Sequence, residues 1–255
     1  SMITTATMHC MPRLYFQAHR KPVTALLHDA GLTPVGKARL ATVAEYFGQS
    51  LRLHAVPEPP PEIAAGLPPQ FGPGSLYRLH LPRLLDEEQV IYLDCDVCCT
   101  LDIRELWEEA TQEQSRCVLR AQSDGRRRGR AIVKKGLDPA HYFNSGVLVF
   151  HPHRLRALFP DLMAAVLRLL PELSRPLLYP DQDALNLLFR RLPLHWLGER
   201  FNQLHVAGRW LLPPDQLEGS LLHFCGRKPW CEPLCPSALG HLENYRFLEQ
   251  CCFEK

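Results

Sequence analysis

The fold is decided by Val90-Ile91-Tyr92-Leu93-Asp94-Cys95-Asp96, in which an apolar run meets two carboxylates. Four β-prone apolar residues predict a short strand that is buried on both faces, as in the parallel sheets of α/β proteins. Ligands of open α/β sheets bind outside the carboxyl ends of the strands. We therefore expect Asp94 and Asp96 to face one site.

Paired carboxylates after such a strand predict a site for a divalent cation. Mn²⁺ and Mg²⁺ prefer oxygen ligands, and a cation held by Asp94 and Asp96 would bridge the oxygens of a diphosphate leaving group. An Asp-x-Asp pair alone is also typical of a solvated turn or of the start of a helix. That alternative stays open at this point.

On either side of this stretch, apolar runs that predict strands alternate with segments of helical spacing. Thr33 and Pro34 are typical of a helix N-cap and first helical position. The predicted strands are Val23–His28, Leu51–Val56, Val90–Leu93, Cys117–Ala121, Ser145–Phe150 and Leu221–Phe224, and the predicted helices are Pro34–Phe47, Ser75–Leu84, Ile103–Glu113, His151–Leu170 and Asp181–Arg190. This alternation predicts an α/β fold with a largely parallel sheet.

Two segments are predicted as loops. Residues 57–74 hold a dense run of prolines, and proline fixes φ and removes a backbone donor. The basic run Arg126-Arg127-Arg128 is flanked by glycines and predicts a mobile loop within Ser123–Asp138.

Two polar segments are candidates for binding a sugar. Asn144 and Ser145 can hydrogen-bond sugar hydroxyls, and Gly146 allows close approach of the backbone, although a turn before a strand explains them equally well. Asp181 and Gln182 open a predicted helix. Asp181 either caps that helix or binds sugar hydroxyls, and Gln182 would place its amide at the reacting centre.

A further segment follows the last predicted strand. His223 lies near the end of that strand, Gly226 lets the backbone approach a phosphate, and Lys228 can neutralise its charge. A lone histidine is more often a hydrogen-bonded structural residue than a ligand. Glycine and lysine at this spacing favour a ligand here.

Composition narrows the function classes. The 255 residues suit one α/β domain over 1–255, and a net charge of +2 gives no whole-chain field for nucleic acid, which is not expected as a partner. No apolar run reaches 18 residues and the first residues do not read as a secretion signal, so we expect no transmembrane segment. Ten cysteines in such a chain are expected as free thiols, which favours a cytoplasmic location.

Taken together in this order, four segments resemble glycosyltransferase family eight, which includes bacterial lipooligosaccharide galactosyl- and glucosyltransferases and, more distantly, glycogenin. The matching strings are YLDCDV, YFNSGVLVF, YPDQDALN and HFCGRKPW, and the resemblance extends over about residues 23–230. It implies a GT-A fold, with a Rossmann-like, largely parallel sheet flanked by helices. It also implies a UDP-sugar donor, Mn²⁺ (with Mg²⁺ as the substitute) and a retaining hexosyltransferase of bacterial surface glycan or lipopolysaccharide synthesis.

The resemblance also implies roles for individual residues. Asp94, Asp96 and His223 match the metal ligands, and Gln182 matches the residue next to the anomeric carbon, on the face opposite the leaving group. The implied donor-binding positions are Thr5, Ala6, Arg78, Asp94, Cys95, Asp96, Asn144, Ser145, Asp181, Gln182, Gly226 and Lys228. Because an amide is a poor nucleophile, we expect front-side attack by the acceptor hydroxyl, with Gln182 and Asp181 at the reacting centre.

Two departures from the family pattern bear on function. The acidic and tyrosine positions that read the base are missing from residues 5–12, where Thr4–His9 are the remaining candidates. The chain stops at Lys255 without the basic, aromatic tail of many members, so peripheral contact with the inner face of a membrane stays open.

The expected partners are a nucleotide-sugar donor and a glycan or glycolipid acceptor, and Arg126–Arg130 either meet an anionic glycolipid or lie in a solvated loop. Two alternatives to a transferase remain. One is a catalytically impaired homologue that binds nucleotide sugars. The other is a different metal-dependent nucleotide enzyme, such as a nucleotidyltransferase or phosphatase, which gives no reason for the Asn-Ser-Gly and Asp-Gln-Asp segments.

Overall fold

The protein contains eleven strands within the described residues. The computed structural model describes residues 2–5, 23–29, 33–46, 48–58, 60–61, 73–94, 96–112, 119–169, 179–206 and 209–226. The strands in these ranges are β1 (Met2–Thr5), β2 (Val23–Asp29), β3 (Ser50–Ala55), β4 (Val90–Leu93), β5 (Val97–Cys99), β6 (Leu119–Ser123), β7 (Phe143–Phe150), β8 (Leu194–Trp196), β9 (Gln203–Val206), β10 (Arg209–Trp210) and β11 (Leu221–Phe224).

Helices connect most of these strands. The α-helices are α1 (Pro34–Tyr46), α2 (Leu81–Leu84), α3 (Ile103–Gln112), α4 (Gly125–Val133), α5 (Pro152–Leu158), α6 (Leu162–Leu169) and α7 (Pro180–Phe189), and the 3-10 segments are Pro73–His80, Pro139–His141, Glu199–Asn202 and Pro214–Gln216. The predicted cap of α1 is confirmed, because the backbone NH of Gly36 donates to Oγ1 of Thr33 (3.1 Å).

The main sheet has the order β3-β2-β1-β4-β7-β6-β8. Strand β7 is antiparallel to both β4 and β6, and the other neighbouring pairs are parallel. The prediction of an α/β fold with a largely parallel sheet is therefore confirmed. This topology brings the carboxyl ends of β1, β4 and β6 and the amino end of β7 to one edge, where the candidate site lies.

Two hydrophobic layers cover the faces of this sheet. Ile91 and Leu93 of β4 pack with α1 and α3 on one face, while Val90 and Tyr92 pack with α2, α5, α6 and α7 on the other. All four side chains of β4 are buried. This double coverage explains why the strand is apolar throughout rather than alternating.

A second sheet of four strands, in the order β10-β9-β11-β5, was not predicted. Strand β11 lies antiparallel to β5 and places His223 opposite Val97, one residue after Asp96. The backbone NH of Phe224 donates to the carbonyl of Asp96 (3.0 Å). This sheet therefore brings the last predicted strand next to the Asp-x-Asp turn.

Two predicted helices differ from the structure because of proline. The segment predicted as a helix over Ser75–Leu84 is 3-10 up to His80 and α-helical only from Leu81, since Pro82 has no NH and fits only a first turn. The helix predicted over His151–Leu170 is two helices. Pro160 keeps Phe159 out of the helical conformation, and Asp161 begins α6 by accepting from the NH of Ala164 (2.9 Å).

Three other predictions are corrected. The basic run was predicted as a mobile loop but begins α4, whose Ile132 is buried against Tyr142. Strand β7 begins at Phe143, so Asn144 and Ser145 lie within the strand and not in a turn before it. The strand predicted over Cys117–Ala121 extends to Ser123, and the first two predicted residues lie outside the described ranges.

Several predictions fall on residues outside the described ranges, namely those for 6–22, 62–72 and 227–255. Cys225 is a free thiol, as expected, and seven of the ten cysteines lie outside these ranges. Within the described part of the chain, no helix has the length and apolar character needed to span a bilayer.

Candidate active site

The Asp-x-Asp pair lies in a fixed turn after β4. The backbone NH of Asp94 donates to the carbonyl of Gly146 (2.8 Å), and the NH of Val97 donates to the carbonyl of Asp94 (3.1 Å). Asp96 is buried and Asp94 is half-buried. The two carboxylates therefore lie where the two sheets meet.

The two carboxylate oxygens of Asp94 have different neighbours. Its Oδ1 accepts from Nη2 of Arg78 (2.7 Å) and from the hydroxyl of Tyr92 (2.6 Å). Burial raises the pKa of Tyr92 well above its ordinary value, so its hydroxyl keeps the proton that it donates. The other oxygen, Oδ2, lies 3.9 Å from Nε2 of His223.

A chain of hydrogen bonds determines which nitrogen of His223 faces the carboxylates. The backbone NH of Gly146 can only donate, and it donates to Oδ1 of Asn144 (2.9 Å). Nδ2 of Asn202 donates to the same oxygen (2.8 Å), which turns Oδ1 of Asn202 towards Nδ1 of His223 (2.8 Å). Nδ1 must therefore carry a proton, and Nε2 faces the two carboxylates.

Asp94, Asp96 and His223 form a group that could hold a metal ion. One ligand atom from each lies within 4.8 Å of the other two. Nε2 of His223 is 3.3 Å from Oδ1 of Asp96. Two ligands of one Mg²⁺, each about 2.1 Å from it, lie about 3.0 to 4.2 Å apart, so these side chains must move slightly closer together to share a small divalent cation.

A cation at this group would compete with a proton on His223. Burial disfavours the charged ring, but Cys225 and Asp96 outweigh burial and hold the pKa of His223 well above its ordinary value. A second proton on the ring would lie on Nε2, 3.3 Å from Oδ1 of Asp96, at the position where a ligand bond would form. Metal binding at this group is therefore expected to release a proton.

Arg78 links the Asp-x-Asp pair to the start of α7. Its Nε lies 3.2 Å from Oδ2 of Asp181, and its Nη1 donates to the carbonyl of Ser145 (2.7 Å). The same oxygen of Asp181 accepts from the hydroxyl of Ser145 (2.8 Å). Burial raises the pKa of Asp181, and the neighbouring Arg78 only partly offsets that effect. One guanidinium thus balances carboxylates from two elements of the fold.

Asp181 does not cap α7, so that alternative reading is wrong. The N-cap residue is Tyr179, and Asp181 is the second helical residue. Its carboxylate is instead turned to Arg78 and Ser145 inside the site.

Gln182 is buried and makes four hydrogen bonds through its amide. Oε1 accepts from the backbone NH of Ser145 (3.1 Å) and from Nδ2 of Asn144 (3.2 Å). Nε2 donates to the hydroxyl of Tyr142 (3.1 Å) and to Oδ2 of Asp124 (3.3 Å). The amide therefore joins α7 to the amino end of β7.

An irregularity in the sheet makes these backbone contacts available. The pairing of β6 with β7 runs from Ala121 opposite Leu148 directly to Gln122 opposite Asn144. The NH groups of Ser145 and Gly146 are therefore outside the ladder with β6, and they bind side-chain oxygens. Such irregularities are common next to functional sites.

Asp183 and Asn186 anchor α7 below the site. Asp183 is 0% exposed, and its carboxylate is ion-paired with Lys135 and accepts from the hydroxyl of Tyr142 (2.7 Å). Asn186 bonds to both the NH (2.8 Å) and the carbonyl (2.9 Å) of the first residue of β7. The Asp-Gln-Asp segment is thus buried on both sides of Gln182.

Most of the predicted site residues lie together at this edge. They are Arg78, Asp94, Asp96, Asn144, Ser145, Asp181, Gln182 and His223. Thr5 ends β1 at the same edge, and exposed Gly226 follows β11 by two residues. Ala6, Cys95 and Lys228 lie outside the described residues, so their predicted roles stay predictions.

Several residues of this network were not predicted as site residues, among them Asp124, Lys135, Tyr142 and Asn202. Asp124 directly follows β6, as Asp94 follows β4, and that signal could have identified it. Asn202 gave no signal, because its partners Asn144 and His223 are 58 and 21 residues away along the chain.

Comparisons with known proteins identify a family. Residues 8–233 match the sequence profile described as Glycosyl transferase family 8. General stress protein A of Bacillus subtilis (strain 168) is 26% identical over 218 residues, which cover 79% of this chain and 74% of that protein. Galactinol synthase 5 of Arabidopsis thaliana is 26% identical over 196 residues, covering 67% of this chain and 55% of that protein.

Solved structures share the fold. The galactosyltransferase LgtC, in complex with donor and acceptor sugar analogues, has a TM-score of 0.77 at 23% identity, over 99% of this chain and 96% of that one. The bifunctional glycosyltransferase WbbM has a TM-score of 0.67 at 18% identity, over 96% of this chain and 49% of that one. The expected GT-A fold is thereby confirmed.

The contact between Gly146 and His223 gives a testable prediction. A Cβ added at Gly146 would lie 2.0 Å from Cε1 of the buried imidazole. We expect Gly146→Ala to lower the free energy of unfolding by about 1–3 kcal/mol in denaturant titrations, because the ring must move against packed neighbours.

The control is Gly129→Ala in α4, where an added Cβ meets no atom within 4 Å. Alanine is the better helix former, so this variant should be as stable as the parent or more stable by about 0.5–1 kcal/mol. Equal stability of the two variants would mean that the imidazole moves aside freely.

Proposed function

The chain belongs to glycosyltransferase family 8, and from this we propose that it moves a hexose from a UDP-sugar to a hydroxyl of a glycan or glycolipid acceptor, with retention at the anomeric carbon. The observation that carries the proposal is the convergence of Asp94, Asp96 and His223. These residues come from two sheets and are far apart in sequence. Their shared position at the ligand-binding edge supports a single cation site.

We propose that this group holds Mn²⁺, with Mg²⁺ as the alternative cation. When bound, the cation supplies positive charge that stabilises the departing diphosphate. Asp94 offers Oδ2, because Arg78 and Tyr92 hold Oδ1. His223 offers Nε2, because Asn202 holds Nδ1. Asp94 and His223 are thus each oriented by neighbours that are not themselves ligands, as in metal sites generally.

The donor sugar is proposed to lie against the start of α7 and the amino end of β7. Asn144, Ser145 and Asp181 present amide, hydroxyl and carboxylate groups there, which are the groups that recognise sugar hydroxyls. The remaining proposed donor contacts are Thr5 and Ala6 for the base, Cys95 beside the metal ligands, and Gly226 and Lys228 for the diphosphate.

The hydrogen bonds around α7 favour a front-side mechanism. A double displacement needs a carboxylate in contact with the anomeric carbon. Asp183 is 0% exposed and held by Lys135 and Tyr142. Asp181 is held by Arg78. We therefore propose that the acceptor hydroxyl attacks from the side of the leaving group and that a diphosphate oxygen takes its proton.

Gln182 has a separate part in this mechanism. Its amide cannot act as an efficient nucleophile, but the oxygen end of its dipole can stabilise positive charge as the sugar bond breaks. The role proposed for Asp181 is to hold the sugar hydroxyls beside that amide.

The relatives support a proposed sugar class and setting. A galactosyltransferase and a galactinol synthase stand among the similar proteins, which supports hexose transfer. We propose a role in bacterial surface glycan or lipopolysaccharide synthesis, at the cytoplasmic side of the inner membrane. The family resemblance to lipooligosaccharide glycosyltransferases supports this setting.

The metal assignment predicts the effect of two isosteric changes. Asp94→Asn and Asp96→Asn should each lower the Mn²⁺-dependent release of UDP from UDP-galactose or UDP-glucose by about 100-fold or more, because a charged ligand is lost. The assay measures free UDP with and without acceptor, over a range of Mn²⁺ concentrations. Both variants should keep the unfolding temperature of the parent to within a few degrees.

The matched control is Asp86→Asn, whose side chain is 96% exposed before β4 and should not change turnover. Parental activity of Asp96→Asn at every Mn²⁺ concentration would contradict the metal site. Release of pyrophosphate in place of UDP by the parent would instead favour a nucleotidyltransferase.

Asn202 gives a prediction about metal affinity. Asn202→Ala removes the acceptor that fixes Nδ1 of His223, so we expect Mn²⁺ binding in the presence of UDP to weaken about 10- to 100-fold. Isothermal titration calorimetry measures this directly and does not depend on turnover. A folded variant that binds Mn²⁺ as tightly as the parent would show that Asn202 does not orient the ligand.

A further inference from the structure

The amide of Gln182 is held in one orientation. The NH of Ser145 can only donate, so the amide atom facing it must be Oε1. Nδ2 of Asn144 supplies a second donor to the same oxygen. The nitrogen is therefore turned to the hydroxyl of Tyr142 and to Asp124. Every polar site of the amide has a protein partner.

The hydroxyl of Tyr142 completes a directed chain. It lies 2.7 Å from Oδ1 of Asp183, which can only accept, so the hydroxyl donates to Asp183 and accepts from Nε2 of Gln182. Burial and the Asp183 carboxylate raise the pKa of Tyr142 above its ordinary value, which keeps this proton in place. Rotating the Gln182 amide would place two donors or two acceptors opposite each other.

The other end of the chain is a buried ion pair. Lys135 is ion-paired with Oδ2 of Asp183, and both side chains are buried. The same oxygen accepts from the backbone NH of Tyr179, the N-cap residue of α7 (3.1 Å). Lys135 follows α4, so the pair ties the end of α4 to the first turn of α7.

We propose that Lys135, Asp183 and Tyr142 are positioning residues that hold the Gln182 amide in its working orientation beside the reacting carbon. This inference rests on the proposed function of Gln182. The three residues are buried behind Gln182 and act only through it. A buried ion pair often contributes little to stability compared with apolar side chains of the same volume, and in some proteins it specifies one arrangement of its neighbours.

The first test removes a single atom. Tyr142→Phe deletes the hydroxyl and leaves the ring and the Lys135–Asp183 pair in place. We expect kcat for donor hydrolysis or sugar transfer to fall about 10- to 100-fold, because a small misplacement of a group at the reacting carbon is costly. KM for the UDP-sugar and the Kd of UDP with Mn²⁺ should change about twofold at most, since the hydroxyl does not touch the donor.

Tyr46→Phe on the surface of α1 is the control and should leave kcat, KM and Kd unchanged.

A double-mutant cycle separates positioning from general support of the fold. If Tyr142 acts through Gln182, then Tyr142→Phe should change kcat by less than about twofold in a Gln182→Ala background. An equal loss in the parent and in that background would overturn the proposal. An unchanged kcat of Tyr142→Phe in the parent would overturn it as well.

A spectroscopic measurement makes the test independent of turnover. The side-chain NH₂ of Gln182 can be assigned in a ¹⁵N spectrum by its absence in Gln182→Ala. The two protons should exchange slowly with solvent because both are hydrogen-bonded, and Tyr142→Phe should shift their resonances and speed that exchange. Unchanged resonances would overturn the positioning role, whether or not the protein transfers a sugar. A parent that shows the slowly exchanging resonances but releases no UDP from any donor would instead refute the proposed function alone.

Discussion

Two adjacent backbone NH groups at the start of β7 fix the chemistry of the site. The NH of Ser145 donates to Oε1 of Gln182, and the NH of Gly146 donates to Oδ1 of Asn144. A backbone NH cannot accept, so each contact sets the direction of one side-chain amide. The bond from Asn202 to Asn144 orients the Asn202 amide, whose oxygen then accepts from Nδ1 of His223. The strand is an interior strand of the seven-stranded sheet and its residues are buried, so these NH groups belong to the rigid core.

The topology explains why a buried strand can serve a site in this way. Strand β7 runs antiparallel to β4 and β6, so its amino end meets their carboxyl ends at one edge. The irregular pairing at Gln122 leaves two NH groups of β7 for side chains. The second sheet adds the imidazole, because β11 pairs with β5 directly after Asp96. Residues that are distant in sequence therefore converge through strand pairing.

Local patterns allowed many of the strands and helices to be predicted. Contacts between residues that are distant in sequence could not be predicted. The apolar run Val90–Leu93 and the cap at Thr33 are local signals, and both led to the right element. Pro160 and Asp161 are equally local signals for a break between helices, but the prediction of one helix over His151–Leu170 did not take them into account. The hydrogen-bond partners of Asn202 depend on which strands pair, and no spacing along the chain contains that information.

Asn144 links the hydrogen bonds around His223 to those around Gln182, and these two sets are the two branches of the network. Its Oδ1 accepts from Gly146 and from Asn202, which leads to His223, and its Nδ2 donates to Gln182. Reversing one amide in this arrangement breaks the bonds of the next, so the whole set of protons has one cooperative arrangement. Substitutions on the two branches should therefore be thermodynamically coupled although their side chains do not touch. An evolving lineage would have to replace such residues together, which makes this part of the protein resistant to gradual change.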